Sequence, residues 1–96
     1  MKPGTRLIGL DLGCGTGRHL GLMRELGIQC TGIDTSINAL NATAPLYAAS
    51  LVQADAMSLP FKNEVFDIVI AWGSLHYTAK RNLPDMLGEI LRVLKK

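Results

Sequence analysis

Three glycines and three carboxylates in the first 55 residues are of types, and at spacings, that suit a small polar ligand. Gly13, Gly15 and Gly17 alternate within Leu7-Ile8-Gly9-Leu10-Asp11-Leu12-Gly13-Cys14-Gly15-Thr16-Gly17-Arg18-His19-Leu20. Glycines there permit positive φ and let the backbone approach a ligand that a Cβ would exclude. A helical pattern starts near Thr16, so the turn offers backbone N–H groups to something polar or anionic. Asp34 follows Gly17 by 17 residues at the end of a second apolar run. Its two oxygens are spaced to accept from both hydroxyls of a ribose. The alternative for Asp34 is an acid beside Thr35-Ser36 that favours a helix dipole. Together these residues read as a nucleotide-type cofactor site. The dinucleotide fingerprint Gly-x-Gly-x-x-Gly is not met, because its third glycine falls on Arg18 counted from Gly13 and on Leu20 counted from Gly15.

Periodicity supplies the elements that must position these groups. A strand is expected at about 6–12, followed by a helix to about Leu26 with Leu20, Met23 and Leu26 on one face and Gly27 as its stop. Residues 29–34 read as a second strand, and Thr35 or Ser36 caps a helix carrying Ile37, Leu40 and Ala44 that Pro45 interrupts. A third strand covers 51–54 and a fourth 66–71, with a loop holding one buried aromatic between them. The last helix starts near Leu83-Pro84, and Leu83, Met86, Leu87, Ile90, Leu91 and Leu94 form its apolar stripe. This order predicts an α/β fold with a parallel sheet and right-handed crossovers. Ligands bind such sheets outside the carboxyl ends of the strands. Residues 13–17, Asp34, Asp55 and 72–77 all fall there.

The bulk numbers narrow the classes. Ninety-six residues, 48% apolar and 19% charged, fit one ordinary globular domain. The net charge of +2 is small and the basic residues are scattered, so no nucleic-acid partner is expected. No run approaches a membrane span or a signal-peptide core, and no membrane partner is expected. Cys14 and Cys30 form no disulfide framework and imply reduced thiols in the cytoplasm. His19 and His76 lie far apart and no metal-ligand cluster is visible; His19, one turn into a helix, is expected on its surface.

Asp11-Leu12-Gly13-Cys14-Gly15-Thr16-Gly17 resembles the donor motif of the class I S-adenosylmethionine-dependent methyltransferases, of the small-molecule type. That resemblance implies a Rossmann-like three-layer sandwich: a four-stranded, mainly parallel sheet of order 3-2-1-4 with helices on both faces. It implies S-adenosylmethionine as cofactor, with the backbone of Gly13, Cys14, Gly15 and Gly17 against its methionine and ribose part. Cys14 serves there as a small residue, not a nucleophile. Asp11 would orient the amino-acid end of the donor, or else brace the loop. Asp34, with Thr35 beside it, would take the ribose. Gln53-Ala54-Asp55-Ala56-Met57-Ser58-Leu59-Pro60-Phe61 is similar to the family's stretch after its third strand. By that similarity Asp55 accepts from the adenine amino group and the Ala56 N–H meets the ring. Met57 covers one face of the adenine or fills core.

Phe66-Asp67-Ile68-Val69-Ile70-Ala71-Trp72-Gly73-Ser74-Leu75-His76-Tyr77 is similar to the family's fourth strand and the loop beyond it. His76 would be a general base, a lining residue of the acceptor pocket, or only a hydrogen-bonding residue of the loop. Methyl transfer itself often needs only in-line positioning. Trp72 and Tyr77 wall the pocket or pack under the last helix. Residues 86–96 resemble the helix after strand 4, so the likeness covers the donor-binding half and the single domain, 1–96, reads as incomplete, truncated after that helix. The implied reaction is methyl transfer to a small-molecule acceptor; the alternative is a non-catalytic module that binds S-adenosylmethionine or a nucleotide. An unpaired apolar edge at 66–71 would invite a homodimer there, or through the final helix.

Overall fold

The β1 run Ile8–Leu12 is buried from Gly9 onward and becomes a central strand of the sheet. The computed structural model describes residues 6–14, 17–43, 50–72 and 78–96. In chain order the elements are β1 (Ile8–Leu12), α1 (Arg18–Glu25), β2 (Gln29–Asp34), α2 (Ile37–Ala42), β3 (Leu51–Gln53), β4 (Ile68–Ile70), a 3₁₀ turn (Lys80–Asn82) and α3 (Leu83–Val93). The four strands pair in parallel in the order β3-β2-β1-β4, as expected. The order reverses at β1, and in open parallel sheets ligands bind outside the carboxyl end of the strand at such a switch point.

Side chains alternate across β1, so its two faces meet different partners. Leu10 and Leu12 join Ile33, Leu59, Phe66 and Val93 in one core, with Ile90 of α3 packed against it. Gly9 and Asp11 point the other way, toward α1. There Cys14, Leu20 and Leu40 form a second core against Cys30 and Leu51. Helices therefore cover both faces of the sheet. Gly9 lets α1 approach, since a Cβ at that position would lie 2.8 Å from Met23 Sδ and 3.1 Å from Ile28 Cγ2.

The helix ends follow their local chemistry. Gly27 adopts φ +77° and stops α1, its N–H donating to Arg24 O at 3.0 Å. Of the two candidate caps for α2, Ser36 does the work, its Oγ accepting from Ala39 N at 3.1 Å. Pro84 sits in the first turn of α3. Ala44 and Pro45 lie outside the described residues.

Several expectations are corrected. Leu26, just past α1, and Ile37 on α2 are exposed, although both are apolar and at helical spacing. The stripe of α3 splits: Met86 is fully buried while Leu87 and Leu91 are exposed, and Val93, which is not on that stripe, is fully buried. β4 is shorter than 66–71 and covers Ile68–Ile70. Ahead of it Asp67 still reaches β1, its N–H donating to Ile8 O at 2.8 Å, but its side-chain Oδ2 takes the Ile8 N–H, at 2.8 Å. On the outer side, Val65 N and Phe66 N donate to Val93 O at 2.8 and 2.9 Å, and Lys95 N donates to Phe66 O at 2.8 Å. The edge at 66–71 is thus covered at its start by the residues after α3, and Phe66 and Leu94 form a parallel bridge.

Candidate functional site

The loop after β1 is tied to the end of β2. Gly13 N and Cys14 N both donate to Ile33 O at 2.9 Å, and Gly17 N closes the turn on Cys14 O at 2.9 Å. Gly13 has φ +69° and Gly17 φ +86°, conformations that favour glycine. Gly17 is the residue from which α1 departs, and Gly21 N donates to its carbonyl at 3.0 Å. Gly15, the remaining glycine of the trio, lies outside the described residues. Cys14 is buried, and burial, reinforced by Asp11 and then Asp34, pushes its thiol up to about 11. It is a neutral packing residue.

Asp11 is the unusual group. It is 1% exposed, and its Oδ2 has no hydrogen-bond partner among the described residues. Across the sheet its register neighbours are Gly32 on β2 and Ile70 on β4, neither of which offers a polar side chain. Burial raises its carboxyl to about 6, against an attraction to His19 that lowers it and a repulsion from Asp34 that raises it further. His19 Nδ1 stands 3.9 Å from Asp11 Oδ2 and its side chain is 26% exposed. The expectation of a surface histidine is corrected: helical spacing gives a face of α1, not the distance from that face to the strand.

Asp34 ends β2 beside this loop. Its Oδ1 accepts from Ser36 N at 2.9 Å, a bond that shapes the turn into α2. A carboxylate oxygen has further lone pairs, and that bond leaves acceptor capacity for a hydroxyl. β3 is laced to the same place: Ala54 N donates to Asp34 O at 3.1 Å and Gln53 Nε2 to Thr35 O at 3.1 Å. Thr35 itself is exposed. Beyond β3, Asp55 is exposed and folds its own loop, Oδ1 accepting from Met57 N at 2.9 Å and its carbonyl from Ser58 N at 3.0 Å. Ala56 packs on the larger core, and Met57 is half-buried.

A clamp that sequence reading missed holds the next segment. Glu89 Oε1 on α3 accepts from Leu59 N at 2.8 Å. Arg92 donates from Nη1 to Phe61 O at 2.7 Å and Asn63 Oδ1 at 3.0 Å, and from Nη2 to Leu59 O at 3.0 Å. Arg92 Nε and Glu89 Oε2 join at 2.7 Å. Each holds the other charged: the guanidinium lowers the Glu89 carboxyl, and the carboxylate raises Arg92. The signal available in sequence was only a Glu and an Arg three apart on a helix.

Trp72, just past β4, is 72% exposed, which removes the reading that it packs under the last helix. His76 and Tyr77 lie outside the described residues. The structure therefore gathers Asp11, Gly13, Cys14, Gly17, Asp34, Thr35, Asp55, Ala56, Met57 and Trp72 at the carboxyl ends of the strands. A concavity of about 160 Å³, lined by Arg6, Leu20, Arg24, Ile28, Cys30 and Ser50 among others, opens at the opposite, amino ends and holds none of them.

Comparison with known proteins agrees with this geometry. Residues 10–96 match the methyltransferase domain family. Demethylmenaquinone methyltransferase of Staphylococcus aureus is 39% identical over 105 residues, spanning 99% of this chain and 41% of that protein. The tRNA (carboxymethyluridine(34)-5-O)-methyltransferase of Saccharomyces cerevisiae is 38% identical over 77 residues, or 77% of this chain and 26% of that one. The crystal structure of PH0226 protein from Pyrococcus horikoshii OT3 superposes with a TM-score of 0.86 at 28% identity, over 97% of this chain and 46% of that chain. The chain spans less than half the length of each of these proteins. The sheet order and the flanking helices are those of Rossmann-like methyltransferases. A match that runs from within β1 to the last residue establishes the kinship: the chain belongs to the class I S-adenosylmethionine-dependent methyltransferases.

Proposed function

We propose that the chain binds S-adenosylmethionine across the carboxyl ends of β1, β2 and β3 and directs its methyl group to a small-molecule acceptor. The observation that carries this reading is Asp11, a fully buried carboxylate at the foot of the glycine loop, one oxygen of which has no hydrogen-bond partner among the described residues. A buried charge without a partner is costly, and a cationic ligand group relieves that cost. When bound, the donor supplies an electrophilic methyl on a sulfonium.

The chain's own residues do the rest. Asp11 holds the donor's ammonium end, and the backbone of Gly13, Cys14, Gly15 and Gly17 lies against its methionine and ribose. Asp34, with Thr35, takes the ribose hydroxyls. Asp55 and the Ala56 N–H read the adenine edge, with Met57 on its face. Trp72 walls the acceptor side and His76 receives a proton from the acceptor. Holding donor and acceptor in line is the main source of rate in such a transfer.

A small acceptor accords with the demethylmenaquinone enzyme named above, and scattered basic residues with a net charge of +2 argue against the nucleic-acid acceptor of the tRNA enzyme. No helix among the described residues is long and apolar enough to cross a membrane. Free thiols at Cys14 and Cys30 suit the cytoplasm. A homodimer would use Ile68–Ile70 or the outward Leu87 and Leu91 of α3.

Amide NMR with S-adenosylhomocysteine tests the reading. Shifts at Gly13, Gly17, Asp34 and Ala56 are expected; shifts confined to the concavity lined by Arg6 and Arg24 contradict it.

A further inference from the structure

We infer that His19 is a positioning residue for the donor site: standing in ion-pair range of Asp11, it favours the charged carboxylate, so that donor affinity at mildly acidic pH depends on His19. This rests on the donor-site reading above and adds to it a residue that touches no donor atom.

The argument is one of charges within reach. Asp11 Oδ2 is buried without a hydrogen-bond partner among the described residues, and the sheet positions beside it are Gly32 and Ile70. From α1, His19 Nδ1 faces it at 3.9 Å, too long for a hydrogen bond but within ion-pair range. Asp34, at the end of β2, repels the Asp11 charge. The thiols of Cys14 and Cys30 stand at about 11 and about 12, raised first by burial and then by Asp11, so they stay neutral near pH 7. Among the described residues, His19 is the group whose charge favours an ionised Asp11.

Burial holds the Asp11 carboxyl up at about 6, and His19 draws it down toward its charged form. Without His19 the Asp11 midpoint rises, and the carboxylate that the donor's ammonium needs is depleted at mildly acidic pH. Well above that midpoint Asp11 is ionised regardless, and His19 adds nothing.

Two measurements test this. In the first, the Asp11 carboxyl signal of the ligand-free chain is followed by NMR against pH. The Asp11 midpoint is expected to rise in His19→Gln and to stay low in His19→Lys. An unchanged midpoint overturns the inference whatever the chain binds. In the second, S-adenosylhomocysteine affinity is measured from about pH 5.5 to about 8.5. His19→Gln is expected to bind roughly three- to tenfold more weakly near pH 6 and equally near pH 8.5. A loss of the same size at every pH marks a merely structural residue and overturns the inference. A folded wild-type chain that binds at no pH overturns the donor-site reading itself, while the NMR midpoints still decide whether the two residues are coupled.

Discussion

Asp11 and Gly32 stand side by side in register on β1 and β2, and the difference in their side chains shapes the site. Because Gly32 has no Cβ, Cys14 and Leu20 close over it; an added Cβ would lie 2.9 Å from Cys14 Cβ, 2.9 Å from Leu20 Cδ1 and 3.0 Å from Cys14 Sγ. The loop that carries Gly13 is thereby seated on β2, beside the buried Asp11. Cys14 Cβ is adjacent to the backbone and cannot swing away.

Gly32→Ala is therefore expected to destabilise the fold by about 1–3 kcal/mol through overpacking, and to weaken donor binding by displacing the loop. Gly9→Ala should cost less, since the atom nearest its Cβ is the Sδ of a flexible methionine. Denaturant midpoints of the two variants provide the comparison.

Asp11 stabilises the site's function at the expense of the fold. Its carboxyl titrates at about 6 in the folded chain against an ordinary 3.8, so the folded state holds a proton that the unfolded state releases. Stability due to this group is fully present below about pH 4, is lost as pH rises to about 6, and changes no further above that. Asp11→Asn should raise the melting temperature at pH 7, by the equivalent of about 1–3 kcal/mol, with the gain fading toward pH 4. The same variant should lose donor affinity. A variant less stable than its parent at pH 7 would contradict the assignment of an ionised, unpartnered carboxylate.

Removing one partner of the Glu89–Arg92 clamp should release residues 59–63 from α3. Arg92→Ala leaves the carbonyls of Leu59 and Phe61 without their donor, and Glu89→Gln weakens the acceptor for Leu59 N. Both should lower the melting temperature, and the double variant should lose less than the sum of the two. Hydrogen exchange at Leu59 N reports the release directly; unchanged protection in Glu89→Gln would show that the clamp does not hold this segment.

Asp34→Ala and Asp55→Ala should each weaken donor binding, about tenfold or more, if their carboxylates meet ribose and adenine. Asp34→Ala should also loosen the start of α2, because its Oδ1 accepts from Ser36 N. Asp34→Asn keeps an oxygen for that bond and separates the two roles. Competition by adenosine distinguishes them further, since it lacks the amino-acid end held by Asp11.

The framework was legible because it rests on local signals. The apolar run of β1, the glycine turn with its positive φ, Gly27 after α1 and Pro84 at the start of α3 each act within a few residues. The strand order came with the resemblance, and the pairing agrees with it. What sequence could not show depends on distance across the fold. His19 reaches Asp11 from another element, and Arg92 bonds to residues about 30 positions away. Nor does residue type decide burial: Leu87 and Leu91 share the spacing of Met86 and Ile90 yet face outward, because α3 meets the sheet along the line of Met86, Ile90 and Val93. The short β4 has the same origin, since Phe66 spends its backbone bonds on Val93 and Lys95 and the Asp67 side chain takes the Ile8 N–H.

The most direct measurement of the central claim is isothermal titration of the chain with S-adenosylmethionine and S-adenosylhomocysteine, with NAD as control. Saturable binding of the first two and none of NAD is predicted, since the glycine trio lacks the dinucleotide spacing while Asp11 and Asp55 suit the methyl donor. Heat from NAD alone, or no binding by a chain shown to be folded, would contradict it.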